Sequence, residues 1–132
     1  GYGISSDKAL LERMETVRQP WSVSTPAQAA GLSALKEDHR EEQTRQLVKS
    51  ERERMEKELE NLRIEYIPSE ANFLLFNSEI NWFEELKKRG ILIRDCANYR
   101  GLGNGWYRLA VRLPEENDRL LECMKQVLNE RS

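Results

Sequence analysis

Residues 90–113 read GILIRDCANYRGLGNGWYRLAVRL, and this stretch limits the possible folds more than any other. Ile91-Leu92-Ile93-Arg94-Asp95-Cys96 and residues 106–113 are two β-rich runs. Between them lies Gly101-Leu102-Gly103-Asn104-Gly105, which is loop chemistry, so the pattern predicts a β-hairpin. Strand side chains alternate faces. In the second arm Tyr107, Leu109, Val111 and Leu113 therefore share a face expected to point inward, and Trp106, Arg108, Ala110 and Arg112 share the other. In the first arm Leu92, Arg94 and Cys96 lie on one face and Ile91 and Ile93 on the opposite one. Each arm thus carries an arginine on a rigid support, Arg94 on the first and Arg108 on the second. A guanidinium meets carboxylate or phosphate in a fork geometry, and two of them suit a doubly anionic small molecule. They equally suit two ordinary exposed charges at a sheet edge, and periodicity alone does not separate these readings.

The rest of the chain alternates helical and extended patterns. Residues 1–5, GYGIS, look like the tail of a strand, and a domain that starts inside a strand is expected to be part of something larger. Ser6 is the expected N-cap of a first helix, with Asp7 in its first turn. Leu10, Leu11, Met14 and Val17 recur along it at helical spacing, and Pro20 ends it. Trp21 follows in a connector, as a binding platform or as a plug against a neighbouring domain. Together with Tyr2 and Ile4, this early apolar set is expected to pack on the remainder of a larger protein. Thr25, Pro26 and Gln28 form a capping-box pattern at the start of a second helix. Apolar residues vanish over residues 36–46, where Asp38 and Glu41 form another capping box. A long helix should then run to about Leu62, with a thin stripe of Leu47, Val48, Met55, Leu59 and Leu62. Its remaining surface is mixed charge, stitched by weak pairs.

Ala71-Asn72-Phe73-Leu74-Leu75-Phe76 is the most apolar strand and should be central in the sheet. Ser78 can cap a helix carrying Trp82, Phe83 and Leu86, which Gly90 terminates as the C′ glycine. After the hairpin, Pro114 opens a last helix with Leu120, Leu121, Met124, Val127 and Leu128 on one face. The expected fold class is α+β: a small antiparallel sheet with helices packed on one face, preceded by long connecting helices.

Composition removes several functions. The chain has 132 residues and a net charge of −2, with 39% hydrophobic and 33% charged residues. The near-neutral charge argues against a nucleic-acid binder, and no apolar run approaches membrane-spanning length. Cys96 and Cys123 are too few and too isolated for a disulfide framework, which fits a cytoplasmic setting. His39 lies alone in a charge run, so no zinc site and no Ser-His-Asp or Cys-His arrangement can be built. The loop glycines precede a strand rather than a helix, so they read as a mobile hairpin tip rather than a phosphate loop. A helical interaction module using the long charged helix stays open as a non-enzymatic reading.

The hairpin arms, together with Glu116-Asn117, resemble the end of the threonine-phosphate decarboxylases of cobalamin biosynthesis. These belong with the histidinol-phosphate aminotransferases among the fold-type I pyridoxal-phosphate (PLP) enzymes. Gly1-Tyr2-Gly3 is similar to the strand that follows that family's PLP lysine. Gln19-Pro20-Trp21-Ser22-Val23 is similar to its active-site-side connector, and Ala71-Asn72-Phe73-Leu74-Leu75 to its small-domain strand. The resemblance covers essentially all of this chain but only about the last third of such an enzyme. It implies that residues 1–24 are a remnant of the large PLP-binding domain and residues 25–132 the C-terminal small domain with its connecting helices. It implies that Arg108 holds the substrate carboxylate and Arg94 the substrate phosphate; Arg112, on the face of Arg108 but further from the hairpin tip, is expected to serve structure. The implied substrate is a small phosphorylated amino acid. The implied partners are the large domain of the same enzyme and a second copy in a homodimer. PLP is implied for the full-length enzyme. The lysine that would bind it has no match here, so the 132 residues alone are expected to hold no cofactor and to be inactive.

Overall fold

The computed structural model describes residues 4–37 and 39–131. Among these residues are five helices and a four-stranded antiparallel sheet, an α+β arrangement. The chain divides into two compact units, Gly1–His39 and Arg40–Ser132.

The first unit holds α1 (Lys8–Val17) and α2 (Thr25–Ala34). The cap of α1 is Asp7, whose side chain accepts from the Leu10 N–H, and not the neighbouring Ser6. Likewise Ser24 caps α2 by accepting from the Ala27 N–H, which moves the expected cap back one residue from Thr25. Neither helix buries a residue within the described chain. Met14, Val17 and Leu35 are exposed, and Trp21 is 95% exposed at φ 61°. Gly1, Tyr2 and Gly3, read as strand, and Asp38, read as a cap, lie outside the described residues. Ile4 and Ser5 take no strand conformation.

The second unit is built on the sheet order β1-β2-β4-β3, with β1 Tyr66–Ile67, β2 Phe73–Asn77, β3 Arg94–Asp95 and β4 Trp106–Ala110. The apolar β2 occupies the expected central place between β1 and β4. Leu74 and Phe76 of β2 and Tyr107 and Leu109 of β4 turn to one face. There α3 (Arg40–Asn61), α4 (Trp82–Lys87) and α5 (Pro114–Asn129) cover them with Met55, Leu59, Trp82, Leu86, Leu121 and Met124. Phe76 meets Trp82 edge-on at 6.4 Å and Tyr107 at 5.5 Å. Among the described residues no helix is long and apolar enough to cross a membrane.

Both expected helix ends at the sheet edge are local hydrogen-bond devices. Helix α4 is capped by Asn81, which accepts from the Glu84 N–H, whereas Ser78 turns back to the Ile80 N–H. At its far end the Gly90 N–H donates to Lys87 C=O and the Ile91 N–H to Leu86 C=O, a Schellman closure with Gly90 at φ 74°. The end of α3 has the same pair of bonds, Arg63 to Glu60 and Ile64 to Leu59, with Arg63 at φ 56° in the glycine place. A side chain in that conformation costs about 1 kcal/mol. Arg63→Gly should therefore raise stability by roughly 0.5 kcal/mol after the glycine's own entropy cost, a change that a denaturant midpoint would register.

A buried polar network locks the start of α5. Asn117, 1% exposed, accepts from the Arg112 N–H and donates to both Arg112 C=O and the Glu51 carboxylate. Glu51 in turn receives two N–H bonds from Arg54, which also pairs with Asp118 at 2.7 Å. The Arg54 hydrogen bonds, with that from Asn117, hold the Glu51 carboxyl below the usual carboxylate range in spite of its burial. Its contribution to stability is present at neutral pH and lost as pH falls through its lowered value. Asn117→Ala should cost about 2–3 kcal/mol because it leaves the Arg112 N–H and C=O without their partner and takes one donor from Glu51, which keeps only Arg54. Glu51→Gln should be destabilising at pH 7, with the deficit shrinking at acid pH; urea melts at pH 7 and pH 3 check both.

Candidate functional site

The sheet face opposite the core carries Phe73, Leu75 and Asn77 of β2, Trp106, Arg108 and Ala110 of β4 and Arg94 of β3, among others. Strand β4 places Arg108 there because its neighbours Tyr107 and Leu109 are drawn into the core at 5% and 1% exposure. Register then does the rest: Arg94 is paired directly with Arg108, so two cations stand side by side on adjacent strands. Like charges directly opposite each other destabilise a sheet. Nevertheless, among the described residues neither guanidinium has a carboxylate partner. By contrast, Arg54 pairs with Glu51 and Asp118, and Arg89 with Glu85 and Glu130, whereas Arg52 is held by the Ala71 carbonyl. Instead, Arg108 stands 5.0 Å from the Phe73 ring centre and Arg94 5.5 Å from that of Tyr99.

The hairpin that carries the pair is shorter than its sequence suggests. Only Arg94 and Asp95 of the first arm form ladder pairs, extended by a bond from the Cys96 N–H to Trp106 C=O. Residues 91–93 stay out of the ladder, and the Ile91 N–H is bound to the end of α4. Leu113 does not point inward: it is 54% exposed and serves as the N-cap residue of α5. The loop is anchored at its end rather than mobile throughout. Gly105, at φ 87°, accepts from the Ser78 N–H and lies so close to β2 that a Cβ would sit 2.7 Å from the Ser78 carbonyl oxygen.

Cys96 is fully buried beside the two arginines. Burial raises its thiol pKa, and the Arg108 and Arg94 charges only partly offset this, so it stays a protonated thiol at neutral pH. Asp95 is spent on an Asx turn with the Ala97 N–H. Arg112 is paired with Glu116 at 2.8 Å and is not available as a third cation. A polar hollow of about 520 Å³ opens beside the loop, lined by Asn77, Asp95, Asn104 and Tyr107 among others, but neither arginine lines it. The arginine pair therefore lies on an open sheet face. It offers planar donor groups to anions, and among the described residues no group of His, Cys, Asp and Glu could hold a metal ion. The sequence pattern put one arginine on each hairpin arm, and the register pairs them; it gave no sign of Phe73 or Tyr99 as their neighbours, since those contacts depend on register and loop path.

The profile of class I and II aminotransferases matches residues 1–123. The chain belongs to that family. Histidinol-phosphate aminotransferase 1 of Archaeoglobus fulgidus is 42% identical over 129 residues, covering 97% of this chain and 40% of that protein. Threonine-phosphate decarboxylase of Salmonella typhimurium is 37% identical over 132 residues, covering 97% of this chain and 36% of that protein. Among solved structures, histidinol-phosphate aminotransferase from Clostridium acetobutylicum superposes with a TM-score of 0.86 at 27% identity, over 94% of this chain and 39% of that one. The chain thus spans about two fifths of the length of these class I and II aminotransferase relatives.

The family works with PLP, which a lysine amine holds covalently. The lysines of this family member do not fit that task. None lies on the sheet. Lys87, Lys88 and Lys125 are paired with Glu84, Glu85 and Glu58, and the rest are exposed on helices or turns.

Proposed function

We propose that this chain is the substrate-contacting part of a PLP-dependent enzyme resembling L-threonine-O-3-phosphate decarboxylase of cobalamin biosynthesis. Residues 1–24 belong to its large PLP-binding domain and residues 25–132 to its C-terminal small domain. Arg108 holds the substrate carboxylate and Arg94 the phosphate. The observation that carries this reading is the pair itself: two register-paired arginines without a protein carboxylate between them. Such a pair is tolerated where an anion bridges it, and a phosphorylated amino acid supplies two anionic groups. The cofactor and the residues that attach it belong to other parts of the complete, cytoplasmic, homodimeric enzyme, and the 132 residues alone turn nothing over.

Histidinol-phosphate aminotransferase is the second reading, favoured by the 42% identity to the Archaeoglobus fulgidus protein. It too needs a cationic site for phosphate. The test is to assay the complete protein with L-threonine O-3-phosphate and with histidinol phosphate. Carbon dioxide release from the first is expected. Transamination of the second without decarboxylation transfers the assignment to the aminotransferase, and inertness toward both overturns it.

A further inference from the structure

Resting on that two-arginine reading, we infer that Phe73 and Tyr99 are positioning residues: each holds a guanidinium by its flat face and leaves the N–H edge free for the substrate's anionic groups. A carboxylate partner fixes an arginine by occupying its N–H donors, as Glu51 does for Arg54. An aromatic ring fixes it differently. The cation sits over the negative ring face, and the donors at the guanidinium edge stay unspent. For a group that must be rigid before the ligand arrives, yet wholly available to it, the ring is the better support. Both arginines of the pair have one, and neither has a carboxylate.

The two supports are built separately. Phe73 pairs with Ala110, and Arg108 pairs with Leu75, so ring and guanidinium are diagonal neighbours across β2 and β4. Such diagonals are within reach of aromatic and long side chains. The directly opposed residue, Ala110, has only a methyl group and leaves the ring face to Arg108. Tyr99 comes from the loop. Its N–H donates to Cys96 C=O at 2.9 Å, and its own C=O accepts from the Leu102 N–H at 3.1 Å. These turns bring the ring back toward β3 and Arg94. Phe73 thus serves the carboxylate arm and Tyr99 the phosphate arm, which makes their effects separable.

The test uses the complete protein and measures kcat/KM for L-threonine O-3-phosphate and for L-threonine, with thermal unfolding alongside. Phe73→Leu keeps an apolar side chain but removes the ring; it should lower kcat/KM about three- to thirtyfold with both substrates. Tyr99→Leu should produce a loss of that size with the phosphorylated substrate and little with threonine. Phe73→Tyr and Tyr99→Phe keep a ring and should stay within about twofold of the parent. Should Phe73→Leu unfold, the exposed Tyr99 pair still decides the matter. Leucine variants with parental kcat/KM, in a protein that Arg108→Lys disables, overturn the positioning role and leave the clamp standing. Ring-retaining variants as impaired as the leucine ones also overturn it. A near-parental Arg108→Lys instead removes the clamp and the inference with it.

Discussion

Arg108→Lys in the complete protein should lower kcat/KM for L-threonine O-3-phosphate about thirty- to a thousandfold while keeping the positive charge. The guanidinium sits on β4 with its donors unspent, and a carboxylate can take two of them in parallel. An ammonium is a point charge that cannot reproduce the fork. Losing such a charged contact removes roughly 2–4 kcal/mol of transition-state binding. Lysine also loses the planar seat over Phe73, 5.0 Å from the present guanidinium carbon. Arg112→Ala is the control. Its side chain is already paired with Glu116, and its backbone bonds to Asn117 survive the substitution, so activity should stay close to that of the parent. Equal losses in the two variants would mean that Arg108 has no role that the Glu116-paired Arg112 lacks.

Gly105→Ala should destabilise the second unit by about 3 kcal/mol. Part of this is conformational: at φ 87° an L side chain is strained by about 1 kcal/mol. The larger part is steric, because the new Cβ would meet the Ser78 carbonyl oxygen at 2.7 Å and the Asn77 side-chain nitrogen at 3.3 Å. Relief requires moving the loop away from β2, which breaks the bond from the Ser78 N–H to Gly105 C=O. Gly101→Ala separates the two contributions. Gly101 has a φ of 89° but nothing within 4 Å of its Cβ position, so it should cost only about 1 kcal/mol. Chemical denaturation of both variants supplies the comparison.

Elements with strong one-dimensional patterns were legible in the sequence. The apolar run around Phe73–Asn77 forms a central strand, and Pro114 with its leucine stripe starts and orients α5. Features that depend on distant backbone were not. The first hairpin arm loses residues 91–93 from the ladder where the end of α4 claims the Ile91 N–H. Leu113 follows strand alternation in sequence, yet the chain has already turned toward α5 at that point. The three loop glycines look alike in sequence, but only Gly105 is approached by another backbone. Alternation put Arg94 and Arg108 on the two hairpin arms, and the resemblance is the source of the roles proposed for them. Phe73 and Tyr99 stayed hidden, since one contact needs the β2–β4 register and the other the path of the loop.

The central claim is that the two arginines divide the substrate's two anionic groups between them. The most direct test is the ratio of kcat/KM for L-threonine O-3-phosphate to that for L-threonine, measured for the complete protein and its Arg94→Ala variant. If Arg94 serves only the phosphate, the ratio should fall about tenfold or more, because the unphosphorylated substrate never used that contact. A variant that loses activity equally toward both substrates, with its ratio unchanged, would contradict the division of labour. Arg94 and Arg108 would then be ordinary charges at a sheet edge.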